Sequence, residues 1–122
     1  MTSYLPKKLV IVESPFAAGN GYTVEQNIEY ARAALRDCLM RGEAPLASHL
    51  LYTQPGILDD NIRAERSRGI AAGLSWASVA SKTVVYMDHG LSKGMMLGIA
   101  HAKQALREIE YRTVPEFHND PV

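Results

Sequence analysis

A chain of 122 residues fits one domain, with a core large enough to fold without disulfide staples. Its 47% hydrophobic and 21% charged content is ordinary for a soluble globular protein. Thirteen basic residues balance thirteen acidic ones, which excludes a global field recruiting nucleic-acid polymers or a membrane surface but leaves room for a free nucleotide on a local patch.

Residues 1–7 read as a lead-in. Leu9-Val10-Ile11-Val12 is a continuous apolar, largely β-branched run, the pattern of a central strand buried on both faces. It stops at Glu13-Ser14-Pro15, because proline cannot continue a ladder. Ala17-Ala18-Gly19-Asn20-Gly21 follows as a small-residue loop. Thr23-Val24-Glu25-Gln26 has the form of a capping box, and behind it Val24, Ile28, Ala31, Leu35, Cys38 and Leu39 recur at helical spacing up to the Arg41-Gly42 stop. Cys38, the only cysteine, rules out an internal disulfide and fits a reducing compartment; on that stripe it reads as a small buried hydrophobe.

Ala44 to Ser48 is a short second strand that Pro45 restricts, followed by His49-Leu50-Leu51-Tyr52 and a loop through Gln54-Pro55-Gly56. A second helix is expected from Asp59 or Asp60 to Ala80, charged in its first half and small and apolar in its second. Thr83 to Met87 reads as the third strand. A helix starts at Ser92, with Met95, Ile99, Ala102 and Leu106 on its stripe. Ile109 to Arg112 reads as a last strand, with a core over 8–112 and a flexible tail over 113–122. No run reaches membrane-spanning length and the N-terminus lacks an apolar leader, so the expected location is the cytoplasm. The order βαβαβαβ implies an α/β fold: a flavodoxin- or Rossmann-like three-layer sandwich around a parallel sheet of four to five strands.

In such folds ligands bind where strands end. Three strand ends are then expected to rim one crevice. The first brings Glu13, Ser14, Pro15 and Phe16, the second His49, and the third Asp88, His89 and Ser92. Glu13 and Asp88 are either solvated rim carboxylates or groups that accept from sugar hydroxyls or exchange protons. Ser92-Lys93-Gly94 has unpaired backbone N–H groups suited to an anion, although Ser92 serves equally as a plain N-cap. Arg63, Arg66 and Arg68 are a solvated face or reach a phosphate or a neighbouring subunit, and Phe16 or Tyr22 stacks on a base or anchors its loop. His49, His89, His101 and His118 lack metal-ligand spacing, and no Walker or dinucleotide loop is present, so no metal or cofactor is expected. A Ser-His-Asp triad has no nucleophile-elbow motif behind it.

These motifs, Glu13-Ser14-Pro15-Phe16, His49 to Gln54, and Asp88-His89-Gly90-Leu91-Ser92-Lys93-Gly94-Met95, resemble the nucleoside 2-deoxyribosyltransferase-like superfamily over roughly 8–112. The chain looks closest to a branch of small proteins common in bacteriophages and prophages. The resemblance implies action on the N-glycosidic bond of deoxynucleosides or their monophosphates, through a glutamate in a Ser-x-Gly-x-x-x-Glu spacing. Counting from Ser92 and Gly94 puts that role at Gly98, which has no side chain, so the attacking group of a double displacement is missing. Either Glu13 or Asp88 has taken over, or the pocket persists as a binder. Gly98 in a helix, about 1 kcal/mol worse than alanine, suggests that something approaches closely there.

The leading expectation is therefore a binder of a nucleotide, nucleoside or ADP-ribose-like molecule, sequestering a nucleotide signal if phage-borne. Ser92 and Gly94 would hold an anion, Glu13 and Asp88 the sugar hydroxyls, and Phe16 or Met95 the base. Ser14, Pro15, His49, His89 and Gly98 complete the site. An active N-glycosidase or deoxyribosyltransferase using Glu13 or Asp88, and an interaction module without a ligand, are the alternatives. The resemblance also implies a homodimer or larger oligomer, with Ala71, Ala72, Gly73, Ala77 and Trp76 as the candidate contact.

Overall fold

The computed structural model describes residues 5–118. Nine elements follow one another: β1 Leu9–Glu13, α1 Val24–Met40, β2 Ala44–Leu46, α2 Ser48–Tyr52, α3 Arg63–Ala77, β3 Lys82–Tyr86, α4 Lys93–Gln104, β4 Glu108–Arg112 and α5 Pro115–His118. The four strands form one sheet in the order β2-β1-β3-β4, and every pairing is parallel. Helices cover both faces, giving the expected three-layer α/β architecture.

Alternation along the strands divides the core. Val10 and Val12 of β1 pack with Val84 and Tyr86 of β3 against Tyr30, Ala34 and Cys38 of α1. On the opposite face Val85 meets Met95 and Ile99 of α4, and Ile11 faces the space under α3. The capping box of α1 forms as read: Thr23 Oγ1 accepts from Gln26 N at 3.1 Å, and Gln26 Oε1 accepts from Thr23 N at 2.8 Å. Gly42, with φ +82°, supplies the left-handed residue that ends the turn.

Several boundaries differ from the expectation. The buried face of α1 is Asn27, Tyr30, Ala31, Ala34 and Cys38, while Leu39 is exposed, because polar Asn27 and Tyr30 find hydrogen-bond partners on the neighbouring loops. The second strand is only three residues long, and His49 lies on the short helix α2 rather than at a strand tip. Helix α3 is confined to Arg63–Ala77. Leu106 is outside α4, left-handed at φ +56°, and 92% exposed. The tail expected to be flexible is packed as far as it is described. Val114 is buried, its N–H donates to Asp88 Oδ2 at 2.8 Å, and Phe117 meets Tyr30 edge-on at 5.1 Å. The rest of that tail, 119–122, lies outside the described residues. Among the described residues no helix is long and apolar enough to cross a membrane.

Candidate functional site

The strand ends do not share one crevice. Residues of one parity along β1 and β3 face α1, and those of the other parity face α3 and α4. Glu13 pairs in register with Val85 and points to the α3/α4 side. Asp88 continues the parity of Val84 and Tyr86 and lies on the α1 side. Its Oδ2 accepts from Tyr30 Oη at 2.7 Å and from Val114 N, and its own N–H donates to Tyr30 Oη at 2.8 Å. Burial and the Asp88 carboxylate push the Tyr30 hydroxyl far above its ordinary pKa, so it remains a donor. Asp88 therefore clamps the C-terminal segment to α1 and does not reach the space above Glu13.

His89 is likewise structural. It is 3% exposed and sandwiched between the rings of Tyr22, at 3.6 Å, and Tyr30, at 4.1 Å. Its Nδ1 lies 2.9 Å from Asn27 Oδ1, and Asn27 Nδ2 donates to the carbonyls of Phe16 and Ala17 at 3.3 and 3.0 Å. Asn20 Nδ2 donates to the His89 carbonyl at 3.3 Å, and a Cβ on Gly90, whose φ is +80°, would lie 2.8 Å from that nitrogen. Together these contacts pin the loop after β1 to the loop after β3. Ser14 and Pro15 are buried at the exit of β1, and neither borders the cleft. Met95 is 1% exposed in the core, and Ser92 Oγ accepts from Met95 N at 3.2 Å as the N-cap of α4. Met95 cannot present itself to a base, because its side chain fills the layer between α4 and the sheet.

On the other side Glu13, His49, Gly94 and Gly98 do come together, joined by Asp60, Glu65, Arg66, Thr83 and Arg107 around one cleft. The cleft encloses about 720 Å³ of non-protein space, part of it open to solvent, within the range of small-molecule sites. Phe16 stacks on His49 at 5.5 Å and borders an adjoining open groove with Asp60 and Ile57.

Glu13 is the central polar group. Burial raises its pKa from 4.5 to about 8, against a smaller lowering by the Arg107 charge. At neutral pH the carboxyl is mostly protonated, a donor as well as an acceptor. Its space exists because residue 98 is glycine: a Cβ there would stand 2.5 Å from Glu13 Cδ and 2.9 Å from Oε1. Gly98→Ala should therefore gain about 1 kcal/mol of helix propensity yet expel the carboxyl from the cleft. Thermal melts should change little, while any ligand response that depends on Glu13 disappears. In a Glu13→Ala background the same change should stabilise by about 1 kcal/mol, a non-additivity that a double-mutant cycle reads directly.

His49 closes the cleft beside α4. Burial lowers its pKa; the Asp60 charge raises it and the Arg66 charge lowers it by less. Its Nε2 is a buried polar atom without a hydrogen-bond partner among the described residues. A Cβ on Gly94 would stand 3.2 Å from His49 Cε1, so glycine there lets the ring lie against the start of α4. At the floor Arg107 donates to Thr83 Oγ1 at 3.1 Å and to the Ala77 carbonyl at 2.9 Å, and lies 3.1 Å from His101 Nδ1. Of the arginines singled out on α3, Arg66 lines the cleft and Arg63 and Arg68 do not. Gly73 and Ala77, read as a subunit contact, are turned inward. A Cβ on Gly73 would meet Ser48 Oγ at 2.5 Å, so the small residues seat α3 on α2. Trp76 is half exposed and donates from Nε1 to Tyr52 Oη at 2.9 Å.

Asp60, Thr83 and Arg107 have no motif around them and lie at or near element boundaries, which is why sequence reasoning passed over them. Among the described residues no group of three or more His, Cys, Asp or Glu side chains could hold a metal. Over residues 8–112 the chain matches the family described as "Domain of unknown function (DUF7768)", and it belongs to that family. No curated protein matches it.

Proposed function

We propose that the chain binds a nucleoside, a nucleotide or an ADP-ribose-like molecule in the cleft above Glu13. The observation that carries this reading is the Glu13 side chain, whose burial favours its neutral form, lining a cleft of small-molecule size at the carboxyl end of a central strand. The Glu13 carboxyl would both donate to and accept from sugar hydroxyls. Phe16, stacked on His49 at the rim, offers a flat surface to a base. The resemblance to the nucleoside 2-deoxyribosyltransferase-like superfamily supports the same ligand class. In a phage setting, such a binder would sequester a nucleotide signal.

A second reading is favoured by the position of Glu13 itself. Its carboxyl fills the side-chain space of residue 98, where the resemblance puts the reactive glutamate. Protonated at neutral pH, Glu13 would deliver its proton to the departing base as the C–N bond breaks, while water forms the new C–O bond at the anomeric carbon and its surplus proton passes through solvent back to the Glu13 carboxylate. Incubation with a panel of nucleosides and nucleotides, read by melting temperature and by chromatography, separates the two readings. Binding without turnover should give a stability gain of about 2.7 kcal/mol at a ligand concentration a hundred times Kd, with no free base. Base release that Glu13→Gln abolishes would establish the enzymatic reading instead. No melting response to any member of the panel would remove both.

A further inference from the structure

We infer that this cleft selects ligands carrying a vicinal diol, a ribose in place of a 2-deoxyribose, through the Asp60 carboxylate beside His49. The inference rests on the reading of the cleft as a nucleoside-type site and specifies its sugar.

Both groups border the cleft, and both lack hydrogen-bond partners. His49 Nε2 is buried without one, and Asp60 makes no hydrogen bond among the described residues although its side chain is only 16% exposed. A buried polar atom left unpaired is costly, so native proteins give it a protein, water or ligand partner. The two groups do not supply each other, since Nε2 and Asp60 Oδ1 are 3.8 Å apart, beyond a hydrogen bond. Nε2 itself has almost no accessible surface, so of the two groups the Asp60 carboxylate is the one a ligand in the cleft reaches.

Charge narrows what those atoms belong to. Asp60 carries a negative charge and Arg66, on the same cleft wall, a positive one, so the two oppose each other. Burial disfavours a charge on His49. A phosphate here would face Asp60 and an ammonium would face Arg66, each at a Coulombic penalty. A neutral hydroxyl meets no such penalty. It donates its one proton to a carboxylate oxygen. Two adjacent hydroxyls occupy both carboxylate oxygens at once, and acidic side chains recognise ribose hydroxyls in this way in dinucleotide sites. A 2-deoxy sugar would leave one carboxylate oxygen unpaired.

The test is calorimetry of adenosine against 2′-deoxyadenosine, and of guanosine against 2′-deoxyguanosine, on the full chain. The ribonucleosides should bind about 10- to 100-fold more tightly, the range expected for losing a hydrogen bond to a charged group. In Asp60→Asn the ratio should collapse to within about threefold, since a neutral amide makes an uncharged bond in its place. Equal affinities for the ribo and deoxy partners in the unmodified chain would overturn the inference and leave the cleft assignment standing. So would a preference that survives Asp60→Asn unchanged. Failure of every nucleoside in both sugar series, together with the corresponding nucleotides and ADP-ribose, would instead overturn the cleft assignment, and the inference with it.

Discussion

Glu13→Gln is expected to remove a loss of stability that the unmodified chain suffers as pH rises through neutrality. The folded chain holds Glu13 at a pKa of about 8, against 4.5 for the free side chain, because burial penalises the carboxylate. The folded state therefore binds this proton more tightly than the unfolded state. The contribution is fully present below about pH 4.5, declines as pH rises, and is gone above about pH 8. At 1.36 kcal/mol per pKa unit, the shift from 4.5 to about 8 corresponds to a loss on the order of 5 kcal/mol for a largely buried group. Chemical denaturation at intervals from pH 5 to 9 should show unfolding free energy falling in the unmodified chain. It should fall far less in Glu13→Gln, whose amide cannot ionise. Parallel curves for the two proteins would mean that Glu13 is not held neutral.

Arg112→Ala should be strongly damaging, costing about 3 kcal/mol because it takes a buried guanidinium away from two half-buried carboxylates. Arg112 is 5% exposed at the end of β4. It donates to Glu43 through Nη1 at 2.7 Å and Nη2 at 2.6 Å, and to Glu110 through Nε at 2.7 Å. Lys82 Nζ reaches Glu110 at 2.7 Å and Glu43 at 3.5 Å, so the cluster ties the edge strand β4 to β3 and to the segment entering β2. Tyr86 Oη, 2.7 Å from Asp37, joins the cluster to α1. Hydrogen bonds from Arg112 hold the Glu43 carboxyl below its ordinary pKa and that of Glu110 down to about 2. The sign is opposite to that of Glu13. This stabilisation is present above about pH 4.5 and is lost as pH falls towards 2. Urea midpoints at neutral pH should drop sharply in Arg112→Ala, and its acid limb below pH 4.5 should be flatter than that of the unmodified chain. A midpoint shift of less than about 1 kcal/mol would place the cluster among ordinary surface pairs.

The strands β1 and β3 were legible because each is a local apolar run with a defined stop, and both longer capped helices announce themselves by Thr23-x-x-Gln26 and Ser92. The parallel α/β sheet follows from their order. Glu13 stood out as an acid closing an apolar strand, and Gly98 as a glycine inside a helix; that the one fills the other's space needs three-dimensional register. The same missing information misplaced Asp88. Its parity along β3 relative to β1 depends on the pairing of Glu13 with Val85, which no local pattern encodes. Tyr30 and Asn27 broke the apolar stripe of α1 because their hydrogen-bond partners, Asp88 and His89, are about sixty residues away in sequence. Asp60 and Arg107 sit between elements, where an isolated charge looks like solvated surface. Phe117 was lost in a short tail whose order comes from the Tyr30 and His89 rings beneath it.

The most direct measurement follows the Glu13 carboxyl carbon by NMR in glutamate-labelled protein, titrated from pH 4 to 10 with and without saturating adenosine. The expected result is a midpoint near 8 in the free protein that moves when the nucleoside is added, with the moving resonance absent from Glu13→Gln. A midpoint near 4.5 that ignores every nucleoside would contradict both the buried neutral acid and the site built around it.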